Sequence, residues 1–164
     1  MPSTDHSYPL NVLGLSGLLH GCDYNPDQWQ HAPEVIDDDF RLFPKAGIGI
    51  LSLNIFGWAT LEPEEGRYDF AWLDDIFARA ESGGQKIFLA TPSAAAPNWL
   101  THCYPEVLRV REDGVRLLPG MRMNFCPTSL LYREKVAGVN RSLAARYGQH
   151  PSLALWHISN EYQG

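Results

Sequence analysis

Basic residues are the minority in this sequence. Thirteen Lys and Arg stand against nineteen Asp and Glu, a formal net charge of −6 over 164 residues. A nucleic acid or an anionic membrane needs a positive surface, so neither is an expected partner. Cysteine is scarce as well: Cys22, Cys103 and Cys126 are odd in number and widely spaced. That is no disulfide framework and fits a reducing, cytoplasmic setting. No apolar run approaches the ~20 residues that a membrane helix requires. The first seventeen residues lack a basic n-region and a sustained apolar h-region, so no secretory signal is read there. A P-loop, a Gly-x-Ser-x-Gly elbow and a metal-pair spacing among His20, His102 and His157 are also missing.

What is present is ordinary globular composition, 45% hydrophobic. Residues 1–16 read as an N-terminal arm, with Pro2, Pro9 and Gly14 and no periodicity. From 17 to 164 short apolar runs alternate with helical patterns. The runs are Gly17–Cys22, Ile48–Phe56, Lys86–Thr91 and Leu153–Ser159, apolar on both faces and bounded by turn chemistry or charge. Such runs suit parallel strands covered on both sides. Between them, Leu73, Ile76, Phe77 and Ala80 fall at i, i+3, i+4 and i+7, with Asp69 placed to cap the start and Gly83-Gly84 the end. Tyr132, Val136, Val139, Leu143 and Tyr147 keep helical spacing, with Thr128 as N-cap and Gly148 as stop. Over Glu34–Ala46, Ile36, Phe40 and Phe43 share a face, but Pro44 is expected to end or kink that helix.

This alternation predicts an α/β fold with a parallel sheet, either doubly wound or a (β/α)8 TIM barrel. After the first run Cys22-Asp23-Tyr24-Asn25-Pro26 stands where a dinucleotide fold would carry glycines. Polar and aromatic groups follow each run directly: Asp23-Tyr24-Asn25, Phe56-Gly57-Trp58, Pro92-Ser93 and Asn160-Glu161-Tyr162. Barrel enzymes place their chemistry there. A connection of roughly sixty residues separates the third run from the fourth, far more than a minimal βα unit, and suggests an elaborated loop. Four strands are half of a barrel, so either the chain supplies the first four βα units or the barrel reading is wrong.

The sharpest local signal is Trp156-His157-Ile158-Ser159-Asn160-Glu161-Tyr162. A carboxylate at the carboxyl end of a buried strand has a rigid mount for general-acid work, and Asn160 beside it can hold a sugar hydroxyl. The bland alternative is a strand end turning into solvent. Arg122, between Met121 and Met123, offers forked donors as a buried guanidinium, or pairs with a structural acid. Trp58, Trp99 and Tyr24 are either sugar platforms or, more commonly for such positions, packing residues. A lone Cys126 is a weak metal signal, and an inert thiol is the plainer reading.

The motifs together resemble glycoside hydrolase family 42. They are Gly21-Cys22-Asp23-Tyr24-Asn25-Pro26-Asp27-Gln28-Trp29, Phe56-Gly57-Trp58-Ala59-Thr60-Leu61-Glu62-Pro63, Tyr68-Asp69-Phe70-Ala71-Trp72-Leu73-Asp74, Leu89-Ala90-Thr91-Pro92 and the Asn160-Glu161 segment. The resemblance implies a (β/α)8 catalytic barrel that hydrolyses terminal β-D-galactosides with retention and needs no cofactor for catalysis. It implies Glu161 as acid/base at the end of the fourth strand, with Arg122 and Asn160 binding the galactose. It implies Cys126 as the first ligand of a structural zinc, the other ligands lying beyond Gly164. It also implies a homo-oligomer, commonly a trimer. The family's second glutamate, the nucleophile, falls later in the barrel, so this chain is expected to be truncated and inactive by itself. Gln163 departs from the glycine usual after Asn-Glu-Tyr. Two alternatives stay open: a glycosidase of the same clan acting on another sugar, and a non-catalytic sugar-binding or assembly fragment.

Overall fold

A computed structural model describes residues 18–120 and 122–161. The expected arm over 1–16, Met121, and the closing Tyr162, Gln163 and Gly164 lie outside the described residues. Strands β1 (Gly21–Tyr24), β2 (Ile50–Leu53), β3 (Lys86–Ala90) and β4 (Leu153–His157) form one sheet. Its order is β1-β2-β3-β4, and every neighbouring pair is parallel. Right-handed crossovers in this sequential order put the intervening helices on a single face. A doubly wound sheet would reverse its order and carry helices on both faces, so that architecture is excluded.

The helices are α1 (Pro33–Ala46), α2 (Trp58–Leu61), α3 (Ala71–Gly83), α4 (Asn98–Cys103) and α5 (Leu130–Tyr147). In α3 the four residues of the expected face are all buried, Asp69 Oδ1 accepts the Ala71 N–H at 3.0 Å, and Gly84 closes the helix at φ 74°. In α1 the helix runs past Pro44, which sits in the last turn, and ends on left-handed Gly47 at φ 70°. The missing Pro44 N–H therefore costs one bond near the terminus and does not stop the helix where the sequence suggested. The N-cap of α5 is Ser129, whose side chain accepts the Tyr132 N–H at 3.3 Å, one residue after the expected Thr128. β1 also differs, starting at Gly21 rather than Gly17 and continuing through Asp23 and Tyr24. Leu18 is 98% exposed, so the apolar run misplaced the strand.

Alternation along the strands separates two faces. Leu51, Leu53, Ile87 and Leu89 are fully buried in one cluster with Ile36 and Phe43 of α1, Ile76 and Phe77 of α3, and Val139 and Leu143 of α5. Each such side chain contributes roughly 1.5–3 kcal/mol of apolar burial. The other face carries Ile50, Ser52, Phe88, Leu155 and His157, none of them fully buried. The expected cover on both sides is thus present on one side only among the described residues. In a closed barrel, opposite strands rather than helices fill that inner space. β4 contains an irregularity: Ile87 pairs with Leu153 but Phe88 with Leu155, leaving Ala154 as an extra residue. This bulge turns Leu155 and His157 inward and leaves Trp156 packed against the core.

Between β3 and β4, ahead of α5, lie α4, a short 3-10 turn over Pro105–Val107, and two isolated antiparallel bridges, Leu108 with Phe125 and Val110 with Arg116. α3 and α5 are joined through Asp74, which accepts from Arg146 Nε at 2.7 Å and from the Tyr147 hydroxyl at 2.8 Å. Beside that contact the Phe77 and Tyr147 rings stack at 4.3 Å.

Candidate active site

The carboxyl ends of the four strands share one rim, and side chains tie them together just past the last ladder bonds. Asn54, fully buried at φ 65°, donates from Nδ2 to the Ala90 carbonyl at 3.2 Å and so joins the ends of β2 and β3. A Cβ on residue 57 would stand 2.3 Å from Asn54 Oδ1, which is why glycine follows Phe56. Thr91 joins β3 to β4. Its N–H donates to the His157 carbonyl at 2.9 Å, and its hydroxyl oxygen accepts the Ser159 N–H at 2.7 Å.

Beyond that tie the chain turns sharply, with Ser159 at φ 57° and Glu161 at φ 43°. Two non-glycine residues in the left-handed region within three positions are a stored local strain, a feature that clusters at functional sites. Glu161 ends the described stretch at the rim, and its Oε2 lies 3.1 Å from Arg122 Nη2. Both side chains are about half exposed, 53% for Arg122 and 55% for Glu161, so the guanidinium is not buried as the sequence suggested. Asn160 is half-buried beside them.

Arg122 belongs to the long connection, yet its loop is anchored. The Met123 N–H donates to the Ala94 carbonyl at 3.3 Å, Asn124 Nδ2 to the Leu118 carbonyl at 3.3 Å, and Cys126 N–H to the Val107 carbonyl at 2.7 Å. The Tyr132 hydroxyl donates to the Ser93 carbonyl, fixing the segment after β3 to α5. The Arg122 guanidinium lies over the Phe56 ring, 4.8 Å from its centroid. Phe56 leaves β2 at the rim, so one strand end supplies the platform, the loop the cation and β4 the anion. Sequence reasoning placed Phe56 after a strand without giving it a role, and it missed Asn54 and Thr91. The signal for those two is a polar residue inside the second apolar run and another closing the third.

Other candidates sort themselves by burial. Trp58 is fully buried and donates from Nε1 to Glu62 Oε2 at 2.7 Å. Trp99 donates to the Glu62 carbonyl at 2.7 Å, and Tyr24 packs edge-on against Phe40 and Phe43. These are packing residues. His157 stacks on Phe88 at 5.2 Å and lies 3.4 Å from the Ser52 hydroxyl, a structural hydrogen bond on the inner face. Cys126 Sγ lies 3.1 Å from Thr128 Oγ1, and hydrogen bonds from the Thr128 side chain and backbone hold its thiol below the usual cysteine range. Among the described residues no group of three His, Cys, Asp or Glu side chains is arranged to hold a metal ion. The described donor set does not by itself fit a zinc ion. Among them, too, no helix is long and apolar enough to cross a membrane.

A sequential parallel sheet with helices outside, and a carboxylate and guanidinium paired at the strand carboxyl ends, is the arrangement of the first units of a (β/α)8 barrel. Solved structures agree. The chain superposes on a cold-adapted β-galactosidase from Rahnella sp. R3 with a TM-score of 0.89 at 51% identity, covering 92% of this chain and 22% of that one. It matches a family 42 β-galactosidase from G. stearothermophilus with a TM-score of 0.87 at 51% identity, over 89% and 21%. The chain belongs to glycoside hydrolase family 42, the β-galactosidase family, whose profile matches residues 23–164. Among curated relatives, β-galactosidase GanA of Bacillus subtilis is 55% identical over 147 residues, 90% of this chain and 22% of that protein. β-Galactosidase BglY of Alicyclobacillus acidocaldarius is 53% identical over 150 residues, 92% and 22%. The chain therefore spans about 22% of the length of the relatives it matches, and its sheet forms the first four βα units of their barrel.

Proposed function

We propose that the protein carrying this chain is a retaining β-galactosidase acting on terminal β-D-galactosides, with its catalytic domain beginning near residue 17. The observation that supports this most is the 3.1 Å pairing of Arg122 with Glu161 at the carboxyl ends of the strands. Glu161 donates a proton to the glycosidic oxygen while a second carboxylate attacks the anomeric carbon, and the aglycone leaves as a neutral alcohol. Glu161, now a carboxylate, takes a proton from water, which attacks the same carbon and frees the second carboxylate. Arg122 and Asn160 hold the galactose hydroxyls, and the forked guanidinium bonds two oxygens at once.

Retention needs two carboxyl groups about 5–5.5 Å apart. We assign the second to a later strand of the barrel, within the length by which the relatives exceed this chain. Catalysis needs no cofactor, and Cys126 is left as a candidate ligand of a structural zinc completed elsewhere in the protein. The three free cysteines and the acidic balance support a cytoplasmic protein without nucleic-acid or membrane partners. A homotrimer, as the family resemblance suggests, would appear as a threefold mass in sedimentation.

The test is hydrolysis of aryl β-galactosides by the natural protein and by the isolated 164 residues. The natural protein is expected to turn over, and Glu161→Gln to lower kcat/KM by about 10²–10⁴-fold on a poor leaving group. The loss should be far smaller on a dinitrophenyl galactoside, whose leaving group needs no acid. Robust turnover by the isolated chain would overturn the two-part site. Faster cleavage of a mannoside, arabinoside or glucoside in the same panel would move the substrate elsewhere in the clan.

A further inference from the structure

We infer that Thr91 is the positioning residue that holds Glu161 against Arg122; the inference rests on the assignment of Glu161 above. β4 ends at His157, and the carboxylate lies four residues further on, past the last residue of the ladder. A strand end of that length swings freely unless something beyond the ladder fixes it. Thr91 supplies the fixing. It follows β3 directly, is 7% exposed, and makes three bonds to the β4 terminus. The Ser159 N–H donates to its hydroxyl oxygen at 2.7 Å, its own N–H donates to the His157 carbonyl at 2.9 Å, and its hydroxyl donates to the same carbonyl at 3.4 Å. The hydroxyl is thus acceptor and donor in one arrangement, which valine, its isostere, cannot reproduce.

The bonded residue is the strained one. Ser159 sits at φ 57° and is 3% exposed, so its N–H has no route to water and its conformation needs outside support. Two residues on, Glu161 at φ 43° returns the chain toward the rim, where its carboxylate meets the guanidinium that Phe56 carries. Asn54 repeats the device one strand earlier, through the Ala90 carbonyl immediately before Thr91. The side-chain ties therefore run in series from β2 to β3 to β4 and end at the acid.

The test compares Thr91→Val and Thr91→Ser with the unaltered sequence, all in the natural protein, with Glu161→Gln as reference. The Ser159 amide exchange rate and the Arg122 guanidinium ¹H–¹⁵N signal are read by NMR. Thr91→Val should speed Ser159 exchange at least tenfold and move the Arg122 signal toward its position in Glu161→Gln. Exchange at Leu51 and Leu89 should stay unchanged, and Thr91→Ser should restore both readings. In the natural protein, Thr91→Val should lower kcat on an aryl β-galactoside at least tenfold with KM within about twofold. If Thr91→Val does not fold, Thr91→Ala serves in its place. Unchanged Ser159 exchange or an unmoved Arg122 signal overturns the positioning role, as does an unchanged kcat in an active protein. Absence of β-galactosidase activity with the NMR changes as expected removes the function proposed above and leaves the positioning role standing.

Discussion

At the scale of single residues, the site is a meeting of three separately anchored groups. Arg122 is the one whose chemistry is least replaceable. Its planar fork can lie on the Phe56 ring and still face Glu161, whereas a lysine ammonium is a point charge that does one or the other. In the role proposed for Arg122, Arg122→Lys in the natural protein should raise KM for an aryl β-galactoside by about tenfold, with kcat falling less, because contacts to the sugar made in ground and transition states alike would be lost. Steady-state kinetics decide it: a fall in kcat alone would assign Arg122 to the acid rather than to the sugar. The sequence made Glu161 and Asn160 visible because polar groups after an apolar run stand out, and Arg122 because a guanidinium between two methionines stands out in a long loop. It could not show that Arg122 and Glu161 touch, since a loop residue's partner is set by backbone bonds such as Met123 to Ala94.

At the scale of elements, periodicity was a good guide wherever a helix buries one stripe, as in α3 with Leu73, Ile76, Phe77 and Ala80. It failed at the ends of β1 and at Ala154. Apolar Leu18 mimicked strand, and the bulge reverses the facing of His157 without leaving any mark in composition. The joint between α3 and α5 also escaped notice. The Arg146 guanidinium and, beside it, the Tyr147 hydroxyl pull the Asp74 carboxyl below its ordinary range. A lowered folded-state value means that the contribution is complete above the unfolded carboxylate value near about 3.9 and fades as pH falls through the folded one. The Asp74 side chain is 37% exposed, so screening limits the effect to about 1 kcal/mol or less. In the natural protein, urea melts of the unaltered sequence and Asp74→Asn should differ at pH 6, and the gap should narrow as pH falls below the unfolded carboxylate value of about 3.9. A constant gap across that range would assign the difference to packing.

At the scale of the whole molecule, the decisive asymmetry is between the two faces of the sheet. The outer face is closed over by α1, α3 and α5, while a hollow of about 420 Å³ opens on the inner one, lined by Gly21, Cys22, Asp23, Ile50, Ser52 and Phe88. Leu155 is 37% exposed on that side, and β1 and β4 are the edges of the sheet. Bare parallel edges beside apolar side chains favour association. The 164 residues produced alone should bind a hydrophobic dye and scatter light increasingly with concentration, as sedimentation and fluorescence would record. A monomeric, cooperatively melting chain with no dye binding would mark a self-standing module instead.

The same asymmetry bears on how a protein of the relatives' length is made. Translation at about 5–20 residues per second leaves on the order of tens of seconds between completion of these residues and release of a chain more than four times as long. Through that interval the outer helices have all they need to dock, while Phe88 and Leu155 wait for strands still being synthesised. Exposed apolar side chains and unpaired strand edges attract chaperones and neighbouring chains, so a nascent polypeptide of that length is expected to be most vulnerable during that wait.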